Sequence, residues 1–262
     1  MRRWSLNNLI LEVKDVAISF GGVKAVNGAT MSVEVGSVTS VIGPNGAGKT
    51  TLFNLISGAI KPESGTILFQ GFEIQKLLPH KIASRGIVRT FQGAKVIKRL
   101  SVIENLMLGA QNNPGESLIN FFNPKARTAF ENQARERAME LLKQVGIERF
   151  ANDYAGILSG GQRKLLDLAR ALMAEPVMLL LDEPFAGVNP TLVEKLLEVL
   201  HALRTEHHLT FLLVEHDLET VMNISDRVVV MAEGRVIANG LPKSIYENQA
   251  VVDAYLGTRK QA

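Results

Sequence analysis

The sequence predicts an α/β fold in which an antiparallel β layer precedes a parallel core and a helical subdomain is inserted into that core. Three observations support this fold. A glycine-rich segment ending in Lys49-Thr50 lies between a β-branched apolar run and a helical pattern. Helical spacing replaces strand patterns after Gln92, and strands alternating with helices return from Ala174 onward. We expect a single domain over residues 1–262.

The boundaries inside that domain follow the changes of pattern. Residues 1–92 and 174–240 are expected to form the α/β core, and residues 93–173 the helical subdomain. Residues 241–262 are expected to form a C-terminal extension. The N-terminal β layer is predicted from three strand patterns, against which a nucleotide could rest: Leu9–Phe20, Ala29–Val35 and Gly65–Gln70.

The glycine-rich segment is a predicted phosphate-binding loop. Residues 43–50 read Gly-Pro-Asn-Gly-Ala-Gly-Lys-Thr and connect a predicted strand, Val38–Ile42, to a predicted helix, Thr51–Ser57. Glycines on such a turn let backbone N–H groups approach phosphate oxygens, and the positive end of the helix favours their charge. We expect Lys49 to contact the outer phosphates and Thr50 to coordinate Mg²⁺. A glycine-rich turn that binds nothing is the alternative, which the flanking strand and helix disfavour.

Two helices are predicted in the inserted subdomain. Ser101-Val-Ile-Glu104 has the sequence of a capping box, and apolar residues recur at helical intervals from Thr128 to Val145. The intervening segment, 111–125, is rich in Asn, Pro and Gly and contains the apolar run Leu118–Phe122. That run either docks a partner or packs beneath its own loop, and both interpretations stay open.

Two adjacent acids directly follow a predicted apolar strand, at a position where ligand sites are common. Val177–Leu181 leads directly into Asp182 and Glu183, at the carboxyl end where open α/β sheets bind their ligands. Successive side chains point in opposite directions, so Asp182 is expected to face Mg²⁺ and Glu183 a water in line with the terminal phosphate. His216, two residues after the strand Thr210–Val214, is expected at the same edge as Glu183. An acidic turn without a ligand is the alternative.

A second glycine-containing helix start, Ser159-Gly-Gly-Gln162, has two interpretations. Ser159 and Gln162 satisfy a capping box, which needs no ligand. The two glycines also expose N–H groups that suit an anion. Two anion-binding helix starts in one chain are more than a single nucleotide needs.

Composition narrows the possible functions. The 262 residues are 46% hydrophobic and 21% charged, which is ordinary for a folded soluble protein. No segment approaches the roughly 18 consecutive apolar residues of a membrane span, and no secretory signal is recognisable, so we expect a cytoplasmic protein. There is no cysteine, which excludes disulfides and thiolate metal sites. Basic residues are dispersed, and the net charge is +3, so no nucleic-acid partner is expected.

Taken together, these motifs resemble those of the ATP-binding subunit of an ABC transporter, in the family's order and over nearly the whole chain. The resemblance implies the ABC ATPase fold with its P-loop NTPase core, hydrolysis of ATP to ADP and phosphate, and ATP and Mg²⁺ as cofactors. By resemblance, Phe20 stacks on adenine, Gln92 senses Mg²⁺ and couples to the membrane partner, and His216 is the switch histidine. The residues that match the family's ATP contacts are Phe20, Gly43, Asn45, Gly46, Gly48, Lys49, Thr50, Thr51, Gln92, Ser159, Gly160, Gly161 and Gln162. Those that match its metal site are Thr50, Gln92 and Asp182, and those that match its catalytic residues are Lys49, Glu183 and His216.

The resemblance also implies partners and a location. In this family the signature Ser159–Gln162 of one subunit closes over ATP held by the other, which accounts for the surplus anion site. The expected partners are a second ATP-binding subunit, identical or related, transmembrane permease subunits and a periplasmic or extracellular solute-binding protein. The expected location is the cytoplasmic face of the inner or plasma membrane, as a peripheral protein.

Several segments narrow the resemblance to the branched-chain amino-acid importers. These are the stretch Ala186–Pro190, the run Val88–Gln92, the extended helical subdomain and the terminal Val251–Gly257. The chain departs from the family at Asn189, where an aspartate is common, so that a charged contact across the pair becomes a neutral one. Lipopolysaccharide-export and urea-import ATPases share parts of this pattern, and a soluble ABC ATPase without a transport role is a further alternative. A non-hydrolysing nucleotide sensor is disfavoured because Glu183 and His216 are both present.

Overall fold

The computed structural model describes residues 8–90, 96–111 and 124–257. Gln92 and the apolar run Leu118–Phe122 lie outside these ranges. In chain order the strands are β1 (Leu9–Phe20), β2 (Val23–Glu34), β3 (Val38–Ile42), β4 (Ser64–Phe69), β5 (Phe72–Glu73), β6 (Ile87–Arg89), β7 (Met178–Asp182), β8 (Thr210–Val214), β9 (Arg227–Ala232) and β10 (Arg235–Gly240). The helices are α1 (Lys49–Ile56), α2 (Pro79–Ala83), α3 (Val102–Met107), α4 (Pro124–Val145), α5 (Gly160–Leu172), α6 (Pro190–His207), α7 (Leu218–Ile224), α8 (Pro242–Tyr246) and α9 (Gln249–Gly257).

The strands form two sheets. The first has the order β2-β1-β4-β5 and is antiparallel, as the N-terminal patterns predict. The second has the order β10-β9-β3-β8-β7-β6, in which β9, β3, β8, β7 and β6 are parallel and β10 is antiparallel to β9. Every residue of β3, β7 and β8 is buried. A parallel sheet is covered on both faces, so β7 and β8 are mostly continuous apolar runs, whereas β3 also buries the hydroxyl residues Thr39 and Ser40.

The N-terminal sheet contains more of β2 than the sequence pattern suggested. The pattern predicted a strand from Ala29, whereas β2 begins at Val23, directly after the turn at Gly21 and Gly22. Both glycines have positive φ, 54° and 87°, which permits the tight reversal between β1 and β2. The early part of β2, residues 23–28, is mostly exposed or half-buried, and its apolar residues do not alternate regularly with polar ones, so it lacks the pattern by which strands are recognised.

One apolar core joins both sheets to helix α1. Leu52, Phe53, Leu55 and Ile56 of α1 are each 0% exposed. They belong to the same cluster as buried residues of β1, β2 and β4 and of β3, β7, β8 and β9. Burying a side chain of this size is worth about 1.5–3 kcal/mol, so α1 is fixed firmly at the point where the glycine-rich loop enters it.

Contacts divide the chain into two compact units. The first contains residues 1–89, 177–184 and 203–262, and the second contains residues 90–176 and 185–202. Both sheets lie in the first unit. The domain boundaries expected from the sequence, at residues 92, 174 and 240, stay a prediction.

The second unit is helical. Helix α4 buries a stripe at helical intervals, which comprises Ala134, Ala138, Leu141, Leu142 and Val145. The predicted capping box at α3 is confirmed: Ser101 Oγ accepts from Glu104 N at 3.3 Å, and Ser101 N donates to Glu104 Oε2 at 2.7 Å. Among the helices of the described ranges, none is both long and apolar enough to cross a bilayer.

Candidate nucleotide-binding site

The glycine-rich loop between β3 and α1 needs glycine for two different reasons. Gly43, Gly46 and Gly48 have positive φ, at 148°, 80° and 98°. A Cβ on Gly43 would lie 2.0 Å from the carbonyl oxygen of Met231, and one on Gly48 would lie 2.3 Å from that of Ala25. At Gly46, by contrast, no described atom lies within 4 Å of such a Cβ. Neighbouring backbone therefore fixes both ends of the loop, whereas its middle lies open.

The start of α1 is open to an anion. Its N-cap residue, Gly48, has no side chain, and no side chain of the described residues caps the first turn. The first N–H groups of a helix have no partner inside the helix, and the helix dipole makes that end positive. The predicted strand-to-helix turn is therefore confirmed, with the features of a phosphate cradle.

Lys49, the first residue of α1, folds back over the loop. Its Nζ donates to the carbonyl oxygens of Gly43 at 2.8 Å and Pro44 at 3.0 Å. Burial lowers the pKa of Lys49, and the negative charges of Glu183 and Asp182 partly oppose that shift. The ammonium group thus lies within the field of both acids at the end of β7. Thr50 and Asn45 of the same loop are exposed, and Thr51 is half-buried.

The two acids at the end of β7 differ in burial, as the alternation of side chains predicts. The Asp182 side chain is 1% exposed and the Glu183 side chain 30% exposed. Asp182 Oδ2 accepts from Arg89 at 2.8 Å, whereas its buried Oδ1 has no hydrogen-bond partner in the described part of the chain. A buried carboxylate oxygen without a partner is costly in isolation, so this oxygen is suited to a cation.

Glu183 lies beside His216, as expected for two strands that end at one sheet edge. His216 Nδ1 is 4.0 Å from Glu183 Oε1 and 3.9 Å from Glu215 Oε2. Glu183 has φ of +51°, a conformation uncommon outside glycine, and its N–H donates to the carbonyl of Val214 at 2.9 Å. The backbone thus turns sharply at Glu183 and gives its side chain a direction independent of β7. The predicted proximity of Glu183 and His216 is confirmed.

The N-terminal sheet approaches the glycine-rich loop at β2. Phe20, the last residue of β1, pairs with Val23 and is 51% exposed. The turn between β9 and β10 completes this side of the loop: Gly234 N donates to the Ala47 carbonyl at 3.1 Å, and Asn27 N donates to the Gly234 carbonyl at 2.8 Å. An exposed aromatic ring at this end of the sheet is available for stacking.

The second glycine-containing helix start lies in the helical unit. Ser159 caps α5: its Oγ accepts from Gln162 N at 3.3 Å, and Ser159 N donates to Gln162 Oε1 at 2.8 Å. Gly160 is exposed, and no described atom would contact a Cβ there. A Cβ on Gly161 would lie 1.7 Å from Leu192 Cδ2. The predicted capping box is confirmed, and Gly160 keeps open space beside it.

Asn189, where the family commonly has aspartate, also has a local structural role. Its Oδ1 accepts from Leu192 N at 2.9 Å, directly ahead of α6. Asparagine caps helices as well as aspartate does, so the substitution keeps the cap while it removes the charge.

Two residues that contact the predicted site were not recognised from the sequence. Arg89 on β6 binds Asp182, and Asn54 on α1 binds Arg89. The available signal was a charged side chain within the short apolar segment Ile87–Arg89, since buried arginines need a partner.

The fold and this site define a P-loop nucleoside triphosphatase: a glycine-rich loop between a buried parallel strand and a helix, with two acids at the end of a neighbouring strand. A family model described as ABC transporter matches residues 26–186, more than half of the chain. The chain belongs to the ABC transporter family, as one of its ATP-binding subunits, and the activity of that class is ATP hydrolysis coupled to transport.

Two relatives share the likeness over nearly their whole length. The high-affinity branched-chain amino acid transport ATP-binding protein BraF of Pseudomonas aeruginosa is 44% identical over 249 residues, which cover 95% of this chain and 98% of that protein. LivG of Escherichia coli, which has the same description, is 40% identical over 250 residues, which cover 95% of this chain and 98% of that protein. The resemblance to the branched-chain amino-acid subgroup is confirmed.

Solved structures confirm the fold. A nucleotide-free ATP-binding cassette from an ABC transporter superposes with a TM-score of 0.83 at 38% identity, covering 94% of this chain and 98% of that one. A dimeric cassette in a post-hydrolysis state bound to ADP and phosphate superposes with a TM-score of 0.73 at 26% identity, covering 88% of this chain and 98% of that one. The ABC ATPase fold expected from the motifs is therefore correct.

Proposed function

We propose that this chain binds ATP with Mg²⁺ and hydrolyses it to drive the uptake of branched-chain amino acids through separate transmembrane subunits. The observation that carries the proposal is the gathering of Lys49, Asp182, Glu183 and His216 at one edge of the parallel sheet. The cargo is inferred from the descriptions of BraF and LivG, whose similarity extends over 95% of the chain.

The hydrolytic roles follow from charge and exposure. Glu183 is partly exposed and lies beside His216, so it can orient a water and accept its proton as that water attacks the terminal phosphorus. The bond between the terminal phosphorus and the bridging oxygen then breaks, and ADP leaves. Lys49 neutralises the outer phosphate oxygens, and His216 contacts the terminal phosphate. Phe20, Asn45 and Thr51 hold the nucleotide, together with Gly43, Gly46 and Gly48 of the loop.

The donor set fits a hard divalent cation. Asp182 contributes a buried carboxylate oxygen that lacks a partner among the described residues, and Thr50 an exposed hydroxyl. Gln92 is the third proposed ligand. When bound, Mg²⁺ would withdraw charge from the phosphate oxygens.

The helix start Ser159–Gln162 is proposed to close over ATP held by a second, identical or related subunit. Gly160 supports this role because its N–H lies at an exposed helix start. The dimeric relative with ADP and phosphate provides a precedent for such a pair. The same proposal includes permease subunits and a solute-binding protein as partners, at the cytoplasmic face of the inner or plasma membrane, and no nucleic acid.

Substitution of Glu183 tests the catalytic assignment. In the complex assembled with its membrane subunits, Glu183→Gln is expected to reduce hydrolysis by roughly 10²- to 10⁴-fold because the proton acceptor is lost. ATP binding should persist, measured by retention of labelled nucleotide. Glu247→Gln, at an exposed position on the same unit, is the matched control and should hydrolyse at the wild-type rate. An unaltered rate in Glu183→Gln would show that another group accepts the proton.

Purification from membranes tests the cargo. The chain is expected to co-purify with two hydrophobic permease subunits, and the complex in vesicles should take up labelled leucine, isoleucine or valine when ATP is supplied. Uptake of urea instead, or extraction of lipopolysaccharide, would show that the proposed cargo is wrong, and the ATPase assignment would stand. Recovery with ribosomes or nucleic acid would contradict the transport role.

A further inference from the structure

A buried arginine joins three elements of the site. Arg89, at the end of β6, is 11% exposed, and its NH2 donates to Asp182 Oδ2 at 2.8 Å. Its NH1 donates to Asn54 Oδ1 of α1 at 2.6 Å. The guanidinium carbon lies 5.7 Å from the ring centre of Phe53, also on α1. The arginine therefore connects the helix that follows the phosphate loop to the acid proposed for the cation.

These contacts fix the direction of the guanidinium group. The planar fork of arginine presents its donors in set directions, and here one nitrogen points to Asn54 and the other to Asp182. Phe53 is 0% exposed, so the ring beside the guanidinium cannot move without disturbing the core. A lysine could supply the charge at this position, but it could not make both contacts with fixed geometry.

The contacts make the two oxygens of Asp182 unequal. Oδ2 is occupied by Arg89, whereas Oδ1 is buried with no hydrogen-bond partner within the ranges that the structure describes. We propose that Arg89 is a positioning residue for the divalent cation, which holds Oδ2 and thereby presents Oδ1 of Asp182 as the oxygen that binds the cation. This inference rests on the proposed function, which places Mg²⁺ beside Asp182.

A purely structural role would have a different signature. If Arg89 only compensated the buried charge of Asp182, its replacement would lower the stability of the protein. It would also reduce ATP affinity by the same factor with the divalent cation and without it. A residue that orients a metal ligand instead affects the part of the affinity that depends on the metal, commonly by about 10- to 100-fold. The two roles are separated by comparing nucleotide binding with and without the cation.

The experiment uses the full chain with Glu183→Gln, so that the nucleotide stays intact. ATP affinity is measured by calorimetry with Mn²⁺ and again with EDTA, and bound Mn²⁺ is counted by electron paramagnetic resonance. Arg89→Lys, which keeps the charge, is expected to reduce the ratio of the two affinities by about tenfold. Asn54→Ala, which leaves the Arg89–Asp182 pair in place, should reduce the same ratio by a smaller factor.

Arg204→Lys is the matched control. Arg204 pairs with Asp226 at 2.9 Å in the same unit but away from the acids of β7, so its variant should keep the wild-type ratio. If Arg89→Lys kept the ratio and only lowered the melting temperature, the positioning role would be refuted and the proposed function would stand. If the Glu183→Gln parent itself bound ATP equally with and without Mn²⁺, the metal assignment and the inference would both be wrong.

Discussion

The phosphate loop and the signature Ser159–Gln162 both begin a helix with glycine, yet they treat the helix start in opposite ways. At α1 the N-cap is Gly48, in a left-handed conformation, and the described side chains leave its first N–H groups uncapped. At α5 the N-cap is Ser159, whose hydroxyl accepts from Gln162 N while Gln162 returns a bond to the serine. One start is left for a ligand, and the other is already capped by its own side chains.

This difference suggests how nucleotide binding is divided between the start of α1 and the start of α5. The loop at α1 has Lys49 and a positive helix end, so it can attract a polyphosphate by itself. At the start of α5 the side chains of Ser159 and Gln162 already form hydrogen bonds with the backbone, and the nearest basic side chains, Arg163 and Lys164, donate to the carbonyls of Leu158 and Ala186. This helix start therefore gains less from an anion, and its contribution should appear when nucleotide is already held elsewhere. Four predictions test this division.

The largest effect is expected at Lys49. Lys49→Ala removes a charged donor, worth about 1.5–3 kcal/mol, so ATP affinity of the single subunit should fall by roughly 10- to 150-fold. Ser159→Ala should leave that affinity unchanged. Titration with a fluorescent ATP analogue compares the two variants. Equal losses would show that both helix starts bind the same nucleotide within one subunit.

The next effect separates the two sets of glycines. Gly48→Ala places a Cβ 2.3 Å from the backbone of Ala25 at a φ of +98°, and is expected to cost about 1–3 kcal/mol of unfolding free energy. Gly160→Ala has open space and a helical backbone, so its stability should be unchanged or slightly higher. Urea denaturation measures both. A stable Gly48→Ala variant would mean that the loop can move away from β2.

The decrease of ATP affinity at alkaline pH should report the deprotonation of Lys49. Burial lowers the pKa of Lys49 below its ordinary value of 10.5, and only the protonated form attracts phosphate. ATP affinity should therefore be constant at neutral pH and decrease as the pH rises through the lowered pKa, at a lower pH than for an ordinary lysine. Calorimetry at several alkaline pH values measures the decrease. Lys49→Ala should lose this dependence, and its persistence there would assign it to another group.

The smallest effect is expected at the signature. Ser159→Ala removes the cap of α5 and should cost about 1 kcal/mol of unfolding free energy. In the proposed pair it should also reduce hydrolysis, because the helix start that we propose to close over the partner's nucleotide would be less ordered. Ser159→Asn, which preserves capping, should restore stability. If hydrolysis by Ser159→Ala matched the wild type, the signature would serve α5 alone.

The sequence predicted most features that depend on neighbouring residues. Strands β1, β3 and β8 were placed to the residue, because apolar and β-branched runs determine buried strands locally. Both capping boxes were recognised because serine and its partner are three residues apart. The glycine-rich loop was evident for the same reason.

The features that escaped prediction depend on the three-dimensional course of the chain, which no local residue pattern encodes. Arg89 meets Asp182 only because β6 and β7 are neighbours in the sheet, and no local pattern encodes that pairing. Lys49 turns back onto the carbonyl of Gly43, which follows from the loop's three-dimensional course. The positive φ of Glu183 was also hidden, because glutamate gives no signal of a left-handed conformation.

The turn at Gly234 determines how late in synthesis the nucleotide-binding loop can be completed. Its hydrogen bonds to Ala47 and Asn27 mean that a late part of the chain completes a loop encoded near the beginning. On the ribosome, residues 43–50 emerge long before the β9–β10 hairpin does, and contacts between residues so far apart in sequence form slowly. A nascent chain therefore contains the whole nucleotide motif before the turn that packs against it, so we expect nucleotide binding to require synthesis of the β9–β10 hairpin.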